Sequence, residues 1–288
     1  MKVIKVGYLI SYDYEYVKTS LSRVYSHVDE IYFAVDKNGK TWSGADLVIE
    51  NDFWDWLNEF DKDQKITIYR DAFYLPELSP MECDTRERNL LAKRMGDCDW
   101  IIQIDSDEYF VDFAAFVKRL QHYTPDGPTS VYCSVATLFK QLPNGFLLID
   151  ESFETLSFAT NHPVYDLARN NTSGNSHVYW DNLVLHQSWA RNSEEIVLKL
   201  NNWSHKNDFN TKSFYKLWDA IDEYNFYCLA DFHPLNPKSW PKLRLMNGSI
   251  NEILDDPELA SFRAKANEPR QKSIFSRTWK TIKSNIAR

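Results

Sequence analysis

The chain has 288 residues, of which 43% are apolar and 26% charged, and it contains only 8 glycines and 11 prolines. This composition excludes collagen-like, low-complexity and disordered classes, and the length allows one large domain or two modest ones. The formal net charge of −8 argues against a nucleic-acid groove in the main body, and no apolar run approaches the length of a membrane span.

The first 105 residues alternate between short apolar runs and helical patterns. The pattern predicts strands over 3–10, 30–35, 65–69 and 100–104, and helices over 14–27, 46–62 and 80–95. This alternation predicts an α/β fold with a Rossmann-like, mostly parallel central sheet flanked by helices. Ligands of such sheets bind beyond the carboxyl ends of the strands, where Asp36 and the run Asp105-Ser-Asp-Glu108 lie.

The pattern changes after Glu108. We expect a helix over 112–123, two strands joined by a turn at 142–145, a polar loop over 159–177, a strand at 183–186, and helices near 193–201 and 212–225. Loops of this length without secondary structure are often functional, so 159–177 is interpreted as an active-site loop. No linker rich in proline, glycine or serine separates two domains.

The four cysteines lie far apart and include no Cys-x-x-Cys pair. The sequence therefore indicates neither a structural zinc site nor a disulfide framework, and a reducing, cytoplasmic location is expected.

Residues 260–288 are basic, with eight lysines and arginines against Glu268 alone. Over 270–288, Phe275, Trp279 and Ile282 lie on one helical stripe with basic residues elsewhere. Such a helix suits peripheral contact with an anionic membrane surface. The alternative is a C-terminal helix that packs on its own domain.

Two carboxylates follow the fourth predicted strand. Asp105 and Asp107 stand at i and i+2, where an apolar strand leaves the sheet. Burying such acids together is costly because like charges raise one another's pKa, and a divalent cation bound by oxygen ligands removes that cost. The alternative is an acidic loop that caps the helix beginning near Asp112.

Two groups of residues resemble glycosyltransferase family 2, whose members have the GT-A fold. The first is Arg86-Glu-Arg88-Asn89, Gly96 and Asp105-Ser-Asp107, with 17 residues from Arg88 to Asp105. The second is Leu185-His186-Gln-Ser-Trp-Ala-Arg191-Asn-Ser-Glu-Glu195 followed by Lys199. Together they cover the chain from about residue 1 to 225.

The resemblance implies metal-dependent, inverting transfer of a sugar from a nucleotide-diphosphate donor, with UDP favoured, to an oligosaccharide or lipid-linked glycan in surface polysaccharide or lipopolysaccharide synthesis. Residues 1–125 would form the nucleotide-binding half and 126–250 the acceptor-binding half, followed by the basic extension 251–288. Mn²⁺ is the favoured cation and Mg²⁺ the alternative. The implied roles are metal binding for Asp105, Asp107 and His186; nucleobase or ribose contact for Asp36 and Asp105; nucleotide fixing for Arg88; and diphosphate contact for Arg191 and Lys199.

The chain departs from the family pattern in the turn after strand two, Asp36-Lys-Asn-Gly-Lys40, and at Ser11-Tyr-Asp13-Tyr-Glu15. An inverting enzyme needs a carboxylate that deprotonates the acceptor hydroxyl. Asp150 and Glu151 are the nearest candidates, with Glu151 preferred, and Asp166 and Asp181 are alternatives. His205 is a rival to His186 for the metal.

Three other classes remain open. A haloacid-dehalogenase-like phosphatase also places Asp-x-Asp after a strand, although Glu108-Tyr109 follow here instead of threonine or valine. A sugar nucleotidyltransferase would carry a glycine-rich phosphate loop, whereas Gly7 stands alone. A non-catalytic carbohydrate-binding protein would use the abundant aromatic residues, which make up 15% of the chain.

Overall fold

The first third of the protein forms a parallel sheet. A computed structural model describes residues 1–202 and 208–259 together with Phe262. Its first elements are β1 (Ile4–Ile10), α1 (Val17–Val24), β2 (Glu30–Asp36), α2 (Asn51–Phe60), β3 (Ile66–Asp71), α3 (Pro80–Met95) and β4 (Trp100–Asp105). The four strands pair in parallel in the order β3-β2-β1-β4. The predicted α/β class with a central parallel sheet is confirmed.

The sheet continues through the second half of the chain. Its elements are β5 (Glu108–Phe110), α4 (Phe113–His122), β6 (Thr129–Leu142), β7 (Gly145–Asp150), β8 (Thr155–Thr160), β9 (Ser176–His186), α5 (Ser193–Asn202), α6 (Thr211–Ala220), β10 (Lys242–Asn247) and α7 (Ile250–Leu254). β8 lies between β4 and β6 and is antiparallel to both, β9 runs parallel to β6, and β5 pairs with β9. β7 pairs antiparallel with β6, and β10 pairs antiparallel with β7 at the edge of the sheet.

Several sequence predictions need correction. β8 extends to Thr160, so the predicted loop over 159–177 begins later than expected. The polar residues at the end of this strand concealed it, because they are buried and hydrogen-bonded: Thr160 Oγ1 donates a 2.8 Å hydrogen bond to the carbonyl of Thr129. β5, which has only three residues, and β10 were not predicted from the sequence. Residues 46–50 are not helical, and α6 ends at Ala220.

Helices cover both faces of the parallel strands. α1, α2 and α4 share one apolar cluster with Val6 and Tyr8 of β1, and this cluster also contains Val184 from the second half of the chain. α3 packs on the opposite face through Leu91. A Cβ atom at Gly7 would lie 2.8 Å from Leu91 Cδ2, so the glycine allows α3 to approach β1 closely.

Local sequence signals explain why α3 and α5 begin where they do. Ser79 and Glu82 form a capping box at the start of α3, with Pro80 in its first turn. At the start of α5, Asn192 and Glu195 exchange side-chain-to-backbone hydrogen bonds of 2.9 and 3.0 Å. These caps orient the helices that carry Arg88 and Lys199, the side chains that α3 and α5 contribute to the site.

The described helices include none with the length and apolar composition needed to cross a bilayer. The predicted membrane-contacting stripe at 270–288 and the rival ligand His205 lie outside the described residues.

Candidate active site

A cleft lies at the carboxyl ends of β1 and β4, where the α/β topology places ligands. Its described lining includes four carboxylates, those of Asp13, Asp84, Asp105 and Asp107. The motifs predicted from the two halves of the chain meet here, since β9 ends at His186 beside the turn that follows β4.

Asp107 is the centre of the charged groups in this cleft. Its Oδ2 lies 2.5 Å from Arg191 Nη2, 3.5 Å from His186 Nε2 and 3.8 Å from Lys199 Nζ. Burial by itself would raise the pKa of Asp107, but the positive charges of His186 and Arg191 outweigh it and hold that pKa well below its usual value. Asp107 is therefore an anion among cationic side chains, and residues of the two sequence motifs meet at it.

Arg191 joins this carboxylate to the end of the first strand. Its Nη2 also lies 3.0 Å from Asp13 Oδ2, its Nε donates to the carbonyl of Ser188, and its guanidinium stacks 4.7 Å from the ring centre of Tyr16. Asp13 was not among the predicted site residues. The available signal was its position three residues beyond the carboxyl end of the first strand.

Lys199 is almost completely buried in the cleft wall. Burial and the neighbouring charge of Arg191 lower the pKa of Lys199 to about 8. Lys199 is among the residues that line the cleft, so its ammonium group can reach a ligand that lies between α5 and the turn after β4.

Asp105 is turned toward α3. Its Oδ1 accepts a 2.8 Å hydrogen bond from Arg88 Nη2, and Arg88 Nε also donates to Asp84 at 2.7 Å. Burial would raise the pKa of Asp105, but the charges of Arg88 and Arg169 outweigh it and lower that pKa. About a third of the Asp105 side chain is exposed to the cleft. The predicted proximity of Arg88 to the Asp-x-Asp motif is thus present, in the form of an ion pair.

Glu108 is fully buried and forms a bidentate ion pair with Arg169. The same carboxylate accepts the backbone N–H of Asp105 at 2.9 Å, so it holds the turn that carries the Asp-x-Asp motif. Sequence reasoning missed Arg169. It lies 61 residues away in the segment interpreted as a loop, and no spacing rule connects it to Glu108.

Asp36 closes a turn. Its Oδ1 accepts the backbone N–H groups of Asn38 and Lys40, and its Oδ2 accepts those of Phe73 and Tyr74, at 2.7 to 3.2 Å. Four backbone donors occupy the carboxylate that was predicted to bind the nucleobase or ribose. This side chain is not among the described residues that line the cleft.

Trp42 is one of the residues that line the cleft. Its indole Nε1 donates a 2.6 Å hydrogen bond to Glu87, a carboxyl group of α3. Burial raises the pKa of Glu87 to about 8. Sequence reasoning did not select either residue, and the half-buried indole is an aromatic surface available to a ligand.

Asp150 and Glu151 lie away from the cleft. Asp150 Oδ1 is 3.2 Å from Arg244 Nη2, and Glu151 Oε1 is 2.9 Å from Lys242 Nζ, both cations belonging to β10. Glu151 has a positive φ of 59°, as befits a residue that ends a hairpin strand. The structure therefore does not bring the two predicted base residues to Asp107.

The two alternative bases also have partners elsewhere. Asp166 accepts hydrogen bonds from the backbone and hydroxyl of Thr172, and Asp181 pairs with Arg119 at 2.5 Å.

Asp107 and His186 lie close enough to share a divalent cation, the role that the resemblance implies for them together with Asp105. The 3.5 Å between Oδ2 and Nε2 suits two ligands of one ion at about 2.1 Å each. Oδ1 of Asp105, the third predicted ligand, is bound by Arg88. Within 1–202 and 208–259, no three His, Cys, Asp or Glu residues cluster closely enough to hold a metal by themselves.

Comparison with known proteins yields weak structural similarity alone. No protein-family model and no curated protein matches the chain. TarS of S. aureus (residues 1–349) aligns at 13% identity and a TM-score of 0.28, over 50% of this chain and 37% of that one. A Bacillus anthracis protein described as a glucose-1-phosphate thymidylyltransferase aligns at 10% identity and a TM-score of 0.38, over 72% of this chain and 97% of that one. Mannose-1-phosphate geranyltransferase from Thermus thermophilus aligns at 9% identity and a TM-score of 0.27, over 77% of this chain and 66% of that one. Values this low assign no activity.

Proposed function

We propose that the protein transfers a sugar from a nucleotide-diphosphate donor. The observation that carries the proposal is the environment of Asp107, which lies among Arg191, His186 and Lys199 at the carboxyl end of a parallel sheet. A diphosphate leaving group gains negative charge as the glycosidic bond breaks, and cationic side chains held in a buried cleft stabilise that charge.

The donor diphosphate would contact Arg191 and Lys199. Both side chains are at least 96% buried and are already held by neighbouring groups, so they lose little conformational entropy when the donor binds. Arg88 would act through Asp105, holding its carboxylate at the edge of the cleft where its exposed part can meet the ribose. Trp42 would offer its indole face to the nucleobase in place of Asp36.

Charge balance supports a metal cofactor, with Mn²⁺ favoured and Mg²⁺ the alternative. Four carboxylates line the described part of the cleft against the cations Arg88, Arg191 and Lys199, since His186 would be neutral as a metal ligand, and a diphosphate adds further negative charge. Asp107 and His186 would hold the ion, and the donor phosphates would complete its coordination. When bound, the ion supplies Lewis-acid stabilisation of the departing diphosphate.

The finer assignment follows the resemblance to glycosyltransferase family 2 and its GT-A fold. We infer an inverting, UDP-sugar-dependent enzyme with a nucleotide-binding half over 1–125 and an acceptor-binding half over 126–250. Its acceptor would be an oligosaccharide or lipid-linked glycan, and the basic segment 270–288 would meet the inner face of the membrane.

The test is a thermal-shift panel of nucleoside diphosphates with and without Mn²⁺. Ligands that bind only the folded state raise the melting temperature by mass action. We expect one nucleotide to give a Mn²⁺-dependent shift that Asp107→Asn abolishes. Asp181→Asn, which removes an acid that is half-exposed, is the matched control and should keep the shift.

A second measurement separates the related reactions. Glycosyl transfer releases a nucleoside diphosphate from a nucleotide sugar, whereas nucleotidyl transfer releases pyrophosphate from a nucleoside triphosphate. No shift with any nucleotide would refute the proposal, and pyrophosphate release would replace it by nucleotidyl transfer.

A further inference from the structure

A second pocket is lined by residues that do not line the donor cleft. The segment between β7 and β8 lines it with Ser152, Phe153 and Glu154, and the segment before β10 adds His233 and Lys238. Its volume of about 340 Å³ is within the range of small-ligand pockets.

Glu154 connects this pocket to the donor cleft. Its Oε2 accepts a 2.7 Å hydrogen bond from Thr137 Oγ1. Thr137 of β6 is the direct partner of His186 in the parallel β6–β9 pair, so the two side chains project from the same face on strands about 4.8 Å apart. Since His186 contacts Asp107, Thr137 and His186 link Glu154 of the pocket to Asp107 of the donor cleft.

The pocket combines an aromatic surface with polar groups. Phe153 is 54% exposed, although it belongs to a segment between two sheet strands. His233 Nδ1 accepts the backbone N–H groups of Leu235 and Asn236, so Nε2 carries the proton of the neutral ring. Ser152 is 96% buried, and its hydroxyl has no hydrogen-bond partner within the described part of the chain.

These features match the chemistry of a sugar ring. One face of a pyranose is apolar and packs on an aromatic side chain, while its hydroxyl groups pair with donors and acceptors around the rim. The exposed Phe153 meets the first requirement, and the polar side chains of Glu154, His233 and Lys238 in the pocket lining meet the second.

We propose that this pocket binds the carbohydrate acceptor and that Glu154 is the general base of the transfer. The proposal rests on the proposed function. The acceptor oxygen forms a bond to the anomeric carbon, the bond from that carbon to the donor diphosphate breaks, and the diphosphate leaves with the bonding electrons. The hydroxyl proton passes to Glu154, whose Oε2 is held by Thr137.

The experiment compares Glu154→Gln with Glu151→Gln. Glutamine at 154 keeps an oxygen that can accept from Thr137 but cannot take a proton. Glu151 pairs with Lys242 at 2.9 Å, so its variant is the matched control. Release of nucleoside diphosphate from the donor sugar is measured with methyl glycosides of glucose, galactose and N-acetylglucosamine as acceptors. We expect Glu154→Gln to lower release about 10²- to 10⁴-fold and Glu151→Gln to leave it within about twofold.

Binding of the same methyl glycosides is measured by saturation-transfer NMR. We expect a signal with the wild type that Phe153→Ala reduces at least about fivefold, whereas Tyr227→Ala, which removes an aromatic ring that is 73% exposed outside the pocket, retains it. Glu154→Gln should keep the Mn²⁺-dependent nucleotide shift, since its change concerns the acceptor side.

The outcomes distinguish the two proposals. Nucleotide binding with no glycoside signal, or with a signal that Phe153→Ala leaves unchanged, overturns the acceptor pocket alone. Unchanged release in Glu154→Gln overturns the base. Glycoside binding without any nucleotide shift refutes the proposed function and with it the role of Glu154, and supports the pocket as a carbohydrate site.

Discussion

The ion pair between Glu108 and Arg169 gives the sharpest test of how this site is built. Both groups are buried, with side-chain exposures of 1% and 7%, and the pair holds the turn between β4 and β5 through the 2.9 Å bond from the Asp105 N–H. The substitution is Arg169→Met, which leaves an apolar chain against Phe158, whose ring lies 4.5 Å from the guanidinium. Glu108 is then a buried carboxylate without its partner.

The expected loss is large because breaking a buried pair typically costs about 3 to 5 kcal/mol. For a protein of this size, each kcal/mol corresponds to about 2 to 4 °C, so the melting temperature should fall by roughly 6 to 20 °C. The double variant Glu108→Gln/Arg169→Met removes both charges and should be more stable than Arg169→Met, since no unpaired charge remains.

The assay is urea unfolding followed by tryptophan fluorescence, together with thermal melting. Asp181→Asn is the control, because the Arg119–Asp181 pair is about half exposed and should contribute at most about 1 kcal/mol. A loss below about 1 kcal/mol in Arg169→Met, or a double variant less stable than Arg169→Met, would refute the reasoning.

Three further substitutions test other contacts. Glu87 has a pKa raised to about 8 in the folded protein, so its contribution to stability is full below the pKa of the unfolded chain and is lost as pH rises toward 8. Glu87→Gln, which can still accept the hydrogen bond from Trp42, should remove this pH dependence of the free energy of unfolding between pH 5 and 8. A parallel pH dependence of variant and wild type would contradict this. Asp36→Asn should lower the free energy of unfolding by about 2 to 3 kcal/mol, since an amide nitrogen cannot accept from two backbone donors; an unchanged unfolding midpoint would contradict it. Gly7→Ala should cost about 1 to 3 kcal/mol by crowding Leu91, and calorimetry showing no change would mean that α3 moves away freely.

The amino-acid sequence alone determined the parallel half of the sheet and the motifs at its carboxyl end. Strands and helices there follow local rules: apolar runs of strand length, a capping box at Ser79, and Asp105 and Asp107 where a buried strand ends. The resemblance implied that His186 shares a metal ion with Asp107 and that Arg191 and Lys199 contact the diphosphate. The structure brings all three side chains within 4 Å of the Asp107 carboxylate.

Only the tertiary structure decided the partners that lie far apart in the chain. Arg169 reaches Glu108 across 61 residues, and Asp36 bonds the backbone of Phe73 and Tyr74 instead of facing the cleft. Glu151 was the preferred candidate for the catalytic base, yet its carboxylate pairs with Lys242. Sequence patterns record the local geometry of strands and helices, whereas the orientation of a carboxylate depends on which donors and charges the folded chain places beside it, and burial makes those partners energetically decisive.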